Sequence, residues 1–107
     1  MARMAWLILI VAALFETGWA IGLKYSDGFT RWGASLWTIA ALIVSVGLLA
    51  VAARTLPIGT AYAVWTGIGA AGTALLGMWL FGDPATVPRL LCIGLIIGGV
   101  VGLRLVG

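Results

Sequence analysis

Long apolar runs separated by short polar punctuation mark this chain, and four such runs can be drawn along its 107 residues. They extend over residues 4–23, 32–53, 57–81 and 90–103. Runs of about 20 residues match the thickness of a hydrocarbon core of about 30 Å. Backbone N–H and C=O groups in lipid must be satisfied within the segment, so each run predicts a helix. The short alternating segments of a membrane barrel are absent. Between the first two runs, Lys24 to Arg31 form a loop with a turn at Asp27-Gly28. Arg54 closes the second run, and Pro57 suits the first turn of the third helix. Gly82-Asp83-Pro84 ends the third run, and a short connection through Arg89 leads to the fourth.

Composition agrees with that pattern. The chain is 64% hydrophobic and 8% charged, with a mean hydropathy of +1.22, whereas about a quarter of an ordinary globular chain is charged. The expected fold class is therefore an all-α integral membrane protein, a four-transmembrane-helix protomer forming a single membrane domain over residues 1–107. No loop has room for a soluble domain, so function belongs inside the bilayer. Four helices do not readily enclose a water-filled path, which points to an oligomer. Met-Ala-Arg before an apolar stretch resembles a signal peptide, but Glu16 and Trp19 interrupt that stretch and no small-residue cleavage site follows. The segment reads as a retained first span.

The net charge of +3 would suggest anionic partners in a soluble protein. Here every basic residue lies at or near a span end, so lipid-interface anchoring accounts for them and a nucleic-acid partner is not expected. The single Cys92 excludes an intramolecular disulfide or a cysteine metal cluster. With no histidine, neither a metal nor another cofactor is expected, and nothing suggests an enzyme.

Charge counting across the membrane does not choose an orientation. Arg3, Arg54 and Arg104 fall on one side, and Lys24, Arg31 and Arg89 on the other. A balanced count fits a weak bias decided by other features, or a chain that inserts both ways and pairs antiparallel. Counted from Met4, the tally is two against three.

Glu16 carries the candidate chemistry. It sits deep in the first span, where an ionisable group costs at least about 2.5 kcal/mol and marks function by default. No basic residue lies inside any span to neutralise it. Removing a carboxylate from water without a counter-charge disfavours its ionised form. Such a group holds a proton until a cation replaces it, the chemistry of a proton/cation exchanger. The plainer alternative is a protonated Glu bonded to a neighbouring helix. Ala12, Ala13, Trp19 and Ala20 lie three or four positions away, leaving space beside the carboxylate together with an indole N–H and a π face.

The third span adds Tyr62 and Trp65 on one helical face, followed by Gly67 and Gly69. The aromatic donors need acceptors in lipid, and Glu16 is an obvious one. The glycines permit close approach or a bend. Gly67-x-Gly69-x-x-Gly72 matches a dinucleotide fingerprint in form only, since it lies within a span. Ser45, near the centre of the second span, either orients Glu16, contacts a ligand or bonds back to its own helix. Gly94, Gly98 and Gly102 form two overlapping GxxxG units in the fourth span, a surface for dimerisation or for packing within the chain.

These residues together resemble the small multidrug resistance family across essentially the whole chain. The text Glu16-Thr-Gly-Trp19-Ala, Lys24-Tyr-Ser-Asp-Gly-Phe-Thr-Arg31 and Leu56-Pro-Ile-Gly-Thr-Ala-Tyr62-Ala-Val-Trp65-Thr-Gly-Ile-Gly69-Ala is most similar to its guanidinium exporter subtype. The resemblance implies an antiparallel homodimer of dual topology in the bacterial inner membrane. It implies that both copies of Glu16 meet in one pocket and bind protons or substrate. Trp19, Ser45, Tyr62 and Trp65 would line that site, and Gly67 and Gly69 would mark the bend of the third helix. Asp83 stands where the family leads one to expect Glu, and Met-Ala-Arg extends beyond the usual start.

The expected function is proton-coupled export of guanidinium and small guanidinyl compounds. Three alternatives remain at this point. One is an exporter of quaternary ammonium or other lipophilic cations, and another is half of an obligate heterodimer. The third is a non-transporting structural subunit, which would leave Glu16 without a task.

Overall fold

The computed structural model describes residues 2–106. Four helices follow one another: α1 Ala2–Tyr25, α2 Trp32–Ala52, α3 Ile58–Leu80 and α4 Val87–Val106. All four are long and apolar enough to cross a membrane.

The boundaries differ from the expected ones where local chemistry permits. Helix α4 begins at Val87 because Pro88 falls in the first turn, where a missing N–H costs no helical bond; Leu90 N–H donates to the Thr86 carbonyl at 3.0 Å. Pro57 is the N-cap of α3 and not its first helical residue, with an extended ψ of 139°. Between α1 and α2, Asp27, Gly28 and Phe29 have φ of 49°, 71° and 65°, a left-handed turn that only the glycine adopts without steric cost. Buried Ser26 holds it. Its hydroxyl donates to the Leu23 carbonyl at 2.7 Å and accepts the Phe29 N–H at 3.1 Å.

Helix α1 packs against α2 and α3, and α4 lies against α3. In lipid, close approach of helices depends on small side chains and dispersion more than on expelling water. The buried positions reflect this: Ala5, Leu9, Ala12 and Ala13 on α1, Ala41, Leu49 and Ala52 on α2, Ala61 and Val64 on α3. A Cβ at Gly22 would come within 2.6 Å of both Trp37 and Thr38, so α1 and α2 converge there at a distance only glycine allows. At one end of the bundle the Arg104 guanidinium lies 5.1 Å from the Trp6 ring centroid. At the other, the rings of Tyr25 and Phe81 are 5.0 Å apart.

The result is a slab, with principal extents of 40 × 34 × 16 Å. Helix α4 is the least covered element, Ile93 being its one buried residue. Among the described residues, no atom beyond α4's own backbone lies within 4 Å of where a Cβ would stand on Gly94, Gly98 or Gly102. Packing within the chain therefore does not use the GxxxG face; α4 meets α3 through Val100, against Gly67.

Candidate functional site

Glu16 lies just past the midpoint of α1. Its half-buried side chain is seated on the backbone of α3 at Gly69, and a Cβ at that position would fall on the carboxylate. Helices α2 and α3 carry no acidic or basic residue, so neither offers a counter-charge. Glu16 Oε1 is buried and has no hydrogen-bond partner among the described residues. The same holds for Trp19 Nε1, one turn further along α1. A lone acceptor and a lone donor on one helical face, both shielded from solvent, are expensive to leave unmade.

The remaining expected site residues adopt a different bonding pattern from the simple one. Trp65 Nε1 donates to the Ser45 hydroxyl at 2.9 Å, and Ser45 Oγ donates to the Ala12 carbonyl at 2.6 Å. Ser45 thus neither bonds back to α2 nor reaches the carboxylate. It ties α2 to α1 one turn before Glu16 and receives α3 through Trp65. Tyr62 packs obliquely on Trp65, with centroids 5.7 Å apart, and is exposed. Glu16, Trp19, Ser45, Tyr62 and Trp65 come from three helices, with Ser45, Trp65 and Tyr62 in one contact chain. Within α3, Gly67 and Gly69 sit in an unbroken helix and serve close approach, the first to Val100 and the second to Glu16.

Sequence reasoning missed three polar residues beside the site. Thr17 Oγ1 donates to the Gly69 carbonyl at 3.1 Å, and Thr73 Oγ1 donates to the same oxygen at 2.7 Å. Trp37 Nε1 donates to the Gly18 carbonyl at 3.0 Å, fastening α2 to α1 two residues after Glu16. A hydroxyl adjacent to the one intramembrane carboxylate was the available signal for Thr17. Nothing local marks Trp37, whose acceptor is a backbone carbonyl.

The site is thus an unpaired carboxylate on a glycine seat in a slab of four membrane-length helices. The family described as Small Multidrug Resistance protein matches residues 4–96. This chain belongs to the small multidrug resistance family. It is 58% identical over 102 residues to a protein of Citrobacter freundii named guanidinium exporter, covering 95% of this chain and 97% of that one. A guanidinium exporter of Yersinia pestis is also 58% identical, over 95% of this chain and 98% of its own length. Another from Salmonella typhimurium strain LT2 is 53% identical over 95% and 97%. Four membrane-crossing helices in a chain of this family make it a multi-pass protein of the bacterial inner membrane.

Proposed function

We propose that this small multidrug resistance protein is a proton-coupled antiporter exporting guanidinium and small guanidinyl cations. The observation that carries the reading is the buried, unpartnered Glu16 oxygen on a face free of basic residues. Such an oxygen needs either a proton or a cation that can donate to it. Similarity over nearly the whole chain to proteins named guanidinium exporters selects the cation. Guanidinium presents a planar fork of donors that fits a carboxylate bidentately, keeps its charge at physiological pH and is weakly hydrated for a cation.

The working unit is an antiparallel homodimer of dual topology, in which the single membrane domain of each copy contributes Glu16 to a shared pocket. A slab 16 Å in its least extent, with a carboxylate side chain that it only half-buries, supports a second copy completing the enclosure. The even division of basic residues between the two membrane sides supports dual topology. The open stripe of Gly94, Gly98 and Gly102 supports an α4 seam. Trp19, Tyr62 and Trp65 supply aromatic walls, and Ser45 holds α1 and α3 in register beside the carboxylate. Gly67 and Gly69 let α3 bend as the pocket changes its side of exposure.

In the cycle, protons occupy the two Glu16 carboxyls until guanidinium displaces them, and their return releases the cation on the opposite side. Two protons against one monovalent cation move one net charge. That charge is worth about 2.3 kcal/mol per 100 mV, so an inward proton gradient drives export.

The test is electrogenic uptake on a solid-supported membrane, with guanidinium and tetrapropylammonium offered in turn to wild type and Glu16→Gln proteoliposomes. Guanidinium currents that vanish in Glu16→Gln are expected. Currents with tetrapropylammonium alone would instead assign export of quaternary ammonium cations. Absence of current with both, in verified dimers, would leave a structural subunit.

A further inference from the structure

Thr17 occupies a position that the exchange of protons and cations at Glu16 does not by itself explain. Its hydroxyl crosses from α1 to α3 and donates to the Gly69 carbonyl at 3.1 Å, in a buried contact joining residues 52 apart in sequence. Gly69 is also the residue on which the Glu16 carboxylate rests. One peptide unit of α3 therefore carries both side chains, the carboxylate against its α-carbon and the neighbouring hydroxyl on its oxygen. One turn along α3, Gly72 leaves the space that Thr17 fills. A Cβ there would stand 2.6 Å from Thr17 Oγ1.

We propose that Thr17 is a positioning residue for the exchange, a releasable latch whose hydroxyl holds α1 on the Gly69 carbonyl so that Glu16 stays seated on α3. The proposal rests on the export reading for its transport consequence, but not for its effect on the carboxyl itself. Release leaves no orphaned polar group. The Gly69 carbonyl keeps the Thr73 hydroxyl at 2.7 Å, and a freed threonine hydroxyl in a helix bonds to a carbonyl three or four residues back. The contact therefore has two satisfied arrangements, and opening it avoids the penalty of an unmade buried hydrogen bond. That is what an α1–α3 contact needs if α3 shifts past Glu16 during alternating exposure.

The groups facing Glu16 are few. Helices α2 and α3 bring no charged side chain, and Tyr62 is the sole titratable residue on either. On α1 itself, Lys24 is two turns beyond Glu16 and Arg3 lies near the opposite end. In the dimer the Glu16 of the second copy is the remaining charged neighbour. A change in Glu16 titration on altering Thr17 thus reports the seat of the carboxylate, through its own contacts and its distance from that second carboxylate, and not the loss of a charge within the protomer.

The experiment compares wild type with Thr17→Val, Thr17→Ser and Gly72→Ala in proteoliposomes. The carboxyl C=O infrared band of Glu16 is titrated without substrate, with Glu16→Gln as the blank that assigns it. Guanidinium half-saturation and limiting current are then measured on the same preparations. Thr17→Val removes the hydroxyl, and Gly72→Ala displaces it while leaving it present. Both are expected to move the titration midpoint and to change half-saturation roughly two- to tenfold, the scale of one hydrogen bond. Thr17→Ser keeps the donor and is expected to restore both readings.

An unchanged midpoint in Thr17→Val overturns the proposal, as does a Thr17→Ser variant as altered as the valine, which would assign the effect to methyl packing. Should the valine variant fail to fold, Gly72→Ala decides, and a wild-type midpoint there overturns the latch. A wild type without guanidinium current removes the export reading; the infrared titration then judges Thr17 alone.

Discussion

Trp65 donates its indole N–H to the Ser45 hydroxyl at 2.9 Å, and that hydroxyl in turn donates a hydrogen bond to the Ala12 carbonyl of α1. The single hydroxyl of Ser45, fully buried, therefore joins three helices one turn from Glu16. Ser45→Ala would strand the Trp65 donor and remove the α2–α1 bond together. We expect a loss of about 1 kcal/mol in helix association, the scale of an interhelical hydrogen bond in lipid. A denaturant titration in detergent checks it, and an unchanged midpoint would contradict the tie.

Gly69→Ala should separate stability from transport. The Cβ would meet the carboxylate end of Glu16, a flexible side chain that can swing aside. The helices should stay assembled, with a stability change under about 1 kcal/mol, while guanidinium current falls at least about tenfold because the carboxylate loses its seat. A variant that unfolds, or that transports normally, would contradict this account of Gly69.

Guanidinium affinity should fall as pH falls. Protons and the cation compete for the same Glu16 carboxylate, so acid favours the proton-bound form and alkali the cation-bound one. With two protons displaced per cation bound, apparent affinity weakens by up to about a hundredfold per pH unit on the acid side, and by about tenfold where one carboxyl alone is protonated. Equilibrium binding of guanidinium across pH, followed by tryptophan fluorescence, measures the slope. A flat profile would mean that proton and cation do not share the site.

Gly98→Leu should break the dimer while sparing the protomer. Among the described residues, no atom beyond α4's own backbone lies within 4 Å of the new Cβ, so α1, α2 and α3 have no reason to rearrange. Across an α4 seam, however, a leucine would hold two backbones apart. Chemical crosslinking in membranes should show the dimer fraction reduced severalfold with unchanged helicity by circular dichroism. A dimer of wild-type yield would place the seam elsewhere.

The four spans were legible because the bilayer imposes them: each apolar run has to satisfy its own backbone, and few solutions exist. Glu16 was legible for a related reason, since a lone carboxylate in such a run stands out by its cost. The partners of the site aromatics were not. Trp65 needed an acceptor, and Glu16 was the conspicuous one, yet the indole reaches Ser45 on another helix. Thr17 and Trp37 bond to backbone carbonyls of glycines, acceptors that every residue carries and no sequence pattern distinguishes.

Sequence alone thus determined the membrane class, the number of spans and the residue whose charge needs an explanation, because hydropathy and ionisation are properties of residue type. Only the tertiary structure decided that Glu16 rests on Gly69, that Ser45 bridges α1 and α3, and that the α4 glycines remain open to an external surface. Those relations depend on the rotation and depth at which one helix meets the next. A shift of one residue along a helix turns a side chain by about 100°, which is enough to exchange every partner in the site while leaving each span equally apolar.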